Sequence, residues 1–304
     1  MADRLALYRR DFHAMGSPCE IQLYAKSRSR SQHVLNRMAF EIQRLEARYS
    51  RYRDDSFLKT INRVAAEGGT ITVDDETAGL LNYVATCYLE SDGLFDVTSG
   101  LLRKAWSFKE NRLPLDDEIQ SLLERVGWEK LSWQPPVLSF PMAGMELDLG
   151  GAVKEYAVDR VTSLCWESEI FHGLVNLGGD IRVIGPHPDG TPWAIGITHP
   201  RIPGAFITRL QLTQGALASS GDYERCIEWE GVRYGHILDP RTGWPVRRLA
   251  AVSVLADLCV VAGSASTIGM LKDFGGSDWL QQQGFPHYWV DVDGHVGGSL
   301  LTGT

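Results

Sequence analysis

Long helices with apolar periodicity alternate along this chain with short strands that turn back on themselves. That alternation does most to limit what its 304 residues can fold into. Helical spacing runs over residues 31–49 through Val34, Leu35, Met38, Ile42 and Leu45, and helices are also read over 74–91, 116–126, 154–168 and 261–272. Asp55 or Ser56 is placed to cap a further short helix. Between these lie strand patterns at 4–25 (interrupted by the turn Met15-Gly16-Ser17-Pro18), 145–149, 174–180, 181–185, 193–198, 205–212, 227–234 and 252–256. Two more strands flank the turn Asp291-Val-Asp-Gly294. Helices interleaved with hairpins predict an α+β fold rather than a doubly wound parallel sheet. No linker or short-period repeat divides the chain, so one large domain or two intimate ones are expected.

Composition removes several classes of function. With 44% hydrophobic and 22% charged residues the chain can bury a sizeable core, and no apolar run approaches a spanning helix. A net charge of −8 argues against nucleic-acid binding. The five cysteines (Cys19, Cys87, Cys165, Cys226, Cys259) are dispersed without a CxxC, which reads as buried free thiols in a reducing compartment. The first ten residues show neither an apolar leader nor a lipid-acceptor cysteine, so the expected location is cytoplasmic, or periplasmic if a leader has been trimmed.

Motifs exclude more. There is no P-loop, no strand-bound GxGxxG, no GxSxG elbow and no zinc-type histidine spacing. What remains is a set of glycine-flanked acids at strand ends: Asp96, Asp148, Asp180, Asp222 and Asp239. One such acid is usually a turn former, but five suggest a large polar ligand approached closely by backbone. The densest chemistry is Tyr234-Gly-His-Ile-Leu-Asp-Pro-Arg-Thr-Gly-Trp-Pro-Val246. Its Pro240 and Gly243 bend the chain so that His236, Asp239, Arg241 and Thr242 can converge, or so that Asp239 simply caps its own turn.

Six segments together resemble the ApbE family, the FAD:protein FMN transferases. They are Tyr49-Ser-Arg-Tyr-Arg-Asp-Asp-Ser56, Gly93-Leu-Phe-Asp-Val-Thr98, Leu147-Asp-Leu-Gly-Gly-Ala-Val-Lys-Glu-Tyr-Ala-Val-Asp159, Val175-Asn-Leu-Gly-Gly-Asp180, Ala218-Ser-Ser-Gly-Asp-Tyr223 and His236-Ile-Leu-Asp-Pro-Arg-Thr-Gly243. The resemblance implies one α+β domain over 1–304 with two intimate lobes, antiparallel or mixed sheets under packed helices, and FAD in the cleft between lobes. It implies transfer of FMN from FAD to a threonine or serine hydroxyl of an acceptor flavoprotein, with release of AMP. By the same resemblance Met15, Tyr52, Leu94, Phe95, Asp96, Asp148, Lys154, Asp222, His236, Ile237 and Asp239 line the FAD site. His236 is the expected general base, since imidazole titrates near neutral pH, and Lys154 or Arg241 would offset phosphate charge beside Mg²⁺. Other readings of these residues stay open: Tyr52 as a half-buried ring, Phe95 as core, Lys154 as a surface lysine. An FAD-binding protein without transfer activity, or an FAD pyrophosphatase giving FMN and AMP, would use much the same set.

One departure bears on the metal. The family opens its last long helix with Ala-Asp-x-x-x-Thr, whereas this chain has Val261-Ala-Gly-Ser-Ala-Ser-Thr267, with Gly263 at the acid position. The expected ligands reduce to Thr267, backbone carbonyls near Gly151 or Val153 and the FAD phosphates, and Mg²⁺ binding should weaken for want of a carboxylate. Asp257 lies in another register. Glu155 stands where many relatives carry glycine. It is expected to face solvent, the alternative being that it supplies the missing charge. An acid restored at position 263 is expected to tighten the dependence on Mg²⁺.

Overall fold

The computed structural model describes residues 5–108, 112–223 and 225–303. The first residue of the opening strand pattern and the head of the middle segment (109–111) lie outside the described residues. The chain opens with a hairpin, β1 (Ala6–Ala14) and β2 (Ser17–Ala25). Its turn places Met15 and Gly16 at φ of 52° and 72°, the left-handed pair that suits a tight hairpin. Helices α1 (Arg28–Tyr49) and α2 (Phe57–Glu67) follow, the second capped by the Ser56 hydroxyl. Then come β3 (Gly69–Thr72), α3 (Asp75–Glu90) with Asp74 as its cap, and α4 (Asp116–Leu123). Strands β4 (Ser132–Gln134) and β5 (Val137–Phe140) join β3 in a small sheet.

The longer second half runs α5 (Gly150–Glu167), β6 (Gly173–Leu177), β7 (Asp180–Gly185), β8 (Trp193–Thr198), β9 (Phe206–Leu212) and β10 (Ala216–Gly221). It ends with β11 (Cys226–Trp229), β12 (Val232–Gly235), β13 (Leu249–Ala256), α6 (Cys259–Leu271), α7 (Gly276–Gln282), β14 (His287–Asp291) and β15 (Val296–Gly297). Eight strands form one sheet in the order β1-β2-β6-β7-β10-β13-β14-β15, antiparallel at every step. Helices α1, α5 and α6 cover one face, and the β8–β9 hairpin packs on the other. The α+β expectation holds.

Strand alternation decides which side chains meet the helices. On β10, Ala216 and Ala218 belong to the helix-covered core while Leu217 faces the hairpin side. On β7, Val183 and Ile181 pack on the hairpin side, which turns Asp180 and Arg182 toward α5. Two residues along a strand advance about 6.6 Å and five along a helix about 7.5 Å, a comparable spacing. Asp180 therefore meets Lys154, and Arg182 meets Asp159.

Three element assignments change. Residues 145–149 are not a strand and join no ladder. The 227–234 stretch is not one strand but the hairpin β11–β12, turning through Glu230 and Gly231 at φ of 50° and 78°. Helix α5 begins four residues before the sequence pattern suggests, because glycine weakens a propensity argument without preventing a helix that packing supports. All five cysteines are free, and all but Cys226 are buried.

Candidate functional site

The 236–246 loop is held from beneath by aromatic residues. The Trp106 indole donates to the Gly243 carbonyl at 2.8 Å and meets Trp244 edge-on at 5.2 Å, with Tyr234 at 5.9 Å. Gly243 sits at φ 72°, and a Cβ there would lie 2.3 Å from Ile119 Cγ2, so only glycine fits the bend. Asp239 holds its own loop together. Its Oδ1 accepts the Arg241 backbone N–H at 2.9 Å and its Oδ2 the Arg241 Nη2 at 2.8 Å, while its carbonyl accepts from Gly243. The turn-capping role is thus realised, with Arg241 as the ion-pair partner of Asp239. Arg241 shares its charge with Asp239, which limits what it offers to a phosphate.

Beside this loop lies an open cleft of about 1170 Å³, bordered by Leu94, Arg201, Asp239, Arg241, Trp244 and Lys272 among others. Leu94, Asp239 and Arg241 are the expected site residues that line it. Arg201 was not anticipated from sequence. It grips both carboxylate oxygens of buried Asp222 at 2.6 and 2.8 Å, so it joins the cleft to the end of β10. Asp222 in turn packs against Gly235, immediately before His236, where a Cβ would lie 2.9 Å from the Asp222 Cβ.

A second group gathers at the start of α5. Leu149 offers no side-chain cap, Gly150 and Gly151 are exposed, and Asp148 Oδ1 takes the Gly150 N–H at 2.9 Å. Such a helix start attracts anions. Asp148 also pairs with Arg51, whose guanidinium lies over the Tyr52 ring at 4.8 Å and donates to its hydroxyl at 2.7 Å. Tyr52 is 72% exposed rather than half-buried. Desolvation would raise the Tyr52 phenol, but hydrogen bonds to Arg51 and Arg225 outweigh it and hold the pKa below its ordinary value. Lys154 reaches Asp180 at 2.7 Å and is not a loose surface lysine. Met15 is fixed by Glu46, which accepts its backbone N–H at 2.7 Å.

Asp96, Leu94 and Phe95 are buried. Phe95 lies in the core with its ring against Gly151, which realises the core reading of that side chain. Asp96 ties its own loop down. Its carboxylate accepts from the Thr98 N–H and hydroxyl, both at 2.7 Å, and from the Trp128 N–H at 3.1 Å, while burial raises its pKa. We expect Asp96→Ala to cost about 3 kcal/mol by stranding these buried donors. Urea unfolding checks this, and a loss below about 1 kcal/mol would show that water replaces the carboxylate.

The third group lies between α5, β7, β10 and α6. The Ser220 hydroxyl bonds Thr267 Oγ1 at 2.9 Å and Ser266 Oγ at 2.8 Å, and the Ser219 N–H reaches Asp180 at 3.3 Å. Helix α6 has no side-chain cap of its own, and Asp159 of α5 supplies one, accepting from Cys259 and Val260 at 2.8 and 2.9 Å. Glu155 corrects an expectation. It is not on a solvent face but 8% exposed, directed at Gly263, where a Cβ would sit 2.5 Å from its Cγ. Burial, then the neighbouring Asp180 charge, push its carboxyl up to about 8. Asp257 is exposed.

Relatives with known names show the same architecture. The structure superposes on the ApbE protein of Thermotoga maritima with a TM-score of 0.88 at 31% identity, covering 97% of both chains. It matches the flavin transferase ApbE of Vibrio cholerae with a TM-score of 0.87 at 26% identity, over 97% of this chain and 98% of that one. Among curated sequences it is 31% identical to an FAD:protein FMN transferase of Vibrio cholerae over 74% of this chain and 69% of the relative. One of the same name from Treponema pallidum is 28% identical over 91% and 84%. Residues 15–296 match the ApbE family, and the chain belongs to it.

Proposed function

We propose that this chain is an FAD:protein FMN transferase, moving FMN from FAD to a threonine or serine hydroxyl of an acceptor flavoprotein and releasing AMP. The observation that supports it best is the likeness of both fold and sequence, along most of the chain's length, to proteins of that name. A pyrophosphate would lie at the open start of α5, with Lys154 adding positive charge. Tyr52 and Arg51 offer a flat cationic surface to an aromatic ring of FAD. Leu94, Ile237 and the backbone beside Phe95 and Asp96 would border the flavin or adenine, with Met15 at the hairpin turn. Asp222 and Asp239 would act through Arg201 and Arg241, which they orient.

In the reaction the acceptor oxygen attacks the FMN-side phosphorus as its proton passes to His236. The anhydride bond to the AMP oxygen breaks, and AMP leaves. Resident Mg²⁺ fits the donors present: a hard cation takes hydroxyl, carbonyl and carboxylate oxygen, and Thr267, the Gly151 backbone and the buried carboxylates of Glu155 and Asp180 supply that chemistry. When bound, the ion would neutralise charge on the phosphate oxygens.

The test is intact-mass spectrometry of a verified flavoprotein acceptor domain incubated with this protein, FAD and Mg²⁺. An added FMN mass that EDTA abolishes is the expected result. Intact FAD with tight FAD binding and no adduct would replace transfer with a binding role, and free FMN and AMP without adduct would mean hydrolysis.

A further inference from the structure

Position 263 lacks an acid, yet the space an acid would enter there is filled by one. Glu155 Oε2 is fully enclosed and has no hydrogen-bond partner among the described residues. Leaving a carboxylate oxygen so placed is costly unless something positive meets it. Asp180 lies beside it, and Lys154 pairs with Asp180, so two carboxylates face one ammonium. Thr267 follows Gly263 by four residues on α6, hence on the same helix face, and its hydroxyl is held by Ser220. Oxygen donors thus come from four elements that pack on one another, α5, α6, β7 and β10, with two acids among them.

We propose that Glu155 is the carboxylate ligand of a divalent cation in this chain, reaching from α5 into the place that glycine at 263 leaves open on α6. The two positions have exchanged roles: the small residue has moved to α6 and the acid to α5. This rests on the reading of the site as one that handles a phosphoanhydride, but it concerns cation binding and can be tested without transfer. It also reverses an expectation from sequence. Gly263→Asp alone would drive its Cβ into Glu155 Cγ and should not improve metal binding.

The experiment follows Mn²⁺ binding by electron paramagnetic resonance, first to the protein alone and then with FAD present. Unfolding midpoints of every variant serve as a check on folding. Glu155→Gln keeps shape and removes charge, and is expected to weaken Mn²⁺ binding at least tenfold while remaining folded. Glu155→Gly should do the same, and the double variant Glu155→Gly with Gly263→Asp should return affinity to within a few-fold of the parent. Parent-like affinity in Glu155→Gln would overturn the assignment. So would a parent protein that binds no Mn²⁺ in either condition, which would leave Glu155 and Asp180 as a proton-sharing structural pair. A double variant no better than Glu155→Gly would also refute the exchange. An FMN adduct formed by a protein that fails these binding tests would refute this assignment and leave the transferase reading standing.

Discussion

Replacing His236 with alanine is expected to lower the rate of FMN transfer by about 10²–10⁴-fold, the usual contribution of a positioned general base. FAD affinity should stay within a few-fold of the parent, because the loop that carries the imidazole is held by other groups. Trp106 grips Gly243, Asp239 closes the turn, and Leu238 and Pro245 form a bridge across the loop neck. None of these involves the imidazole. The mass-spectrometric adduct assay gives the rate, and fluorescence quenching of FAD gives the affinity. Wild-type transfer by His236→Ala would remove the histidine from the chemistry, and a large loss of affinity with little change in maximal rate would make it a binding group.

The second large effect concerns stability. Asp159 is expected to cost about 3–5 kcal/mol when changed to alanine, on the scale of breaking a buried ion pair from one side. It accepts from Arg182 at 2.7 Å and from two N–H groups at the start of α6, so its removal strands a buried guanidinium and uncaps a helix at once. Domains of this kind are stable by only about 5–15 kcal/mol, so the variant should unfold at markedly lower urea. A midpoint equal to the parent's would show that solvent reaches Arg182 and the helix end.

Much of this arrangement was legible in the chain. Ser56, the Met15-Gly16 turn and the hairpin at 291–294 all carry local signals, and the structure uses each as its chemistry suggests. The 236–243 loop was equally readable, because proline and glycine fix its bend whatever surrounds it. Long-range partnerships were not. Arg51 meets Asp148 across 97 residues, and Arg201 meets Asp222 from the far side of a hairpin, with no periodicity to announce either pair. Glu155 was misplaced for a different reason. Helix α5 lies between the sheet, α1 and α6, and ten of its residues are buried, Thr162, Asp159 and Glu155 among them. A helix enclosed on several sides has no broad polar face from which exposure can be read.

The strand order carries a consequence for how the molecule comes to exist. Strand β2 pairs with β6, Cys19 opposite Leu177, so the sheet cannot grow outward from its first hairpin by local steps. The chain must close a loop of more than half its length before β2 can meet β6, and α6 arrives later still. Topologies dominated by such distant pairings fold slowly, on the order of milliseconds to seconds or longer. During synthesis the acidic groups of α5 and β7 would be assembled before Thr267 has emerged, and the completed cleft belongs only to the nearly finished chain.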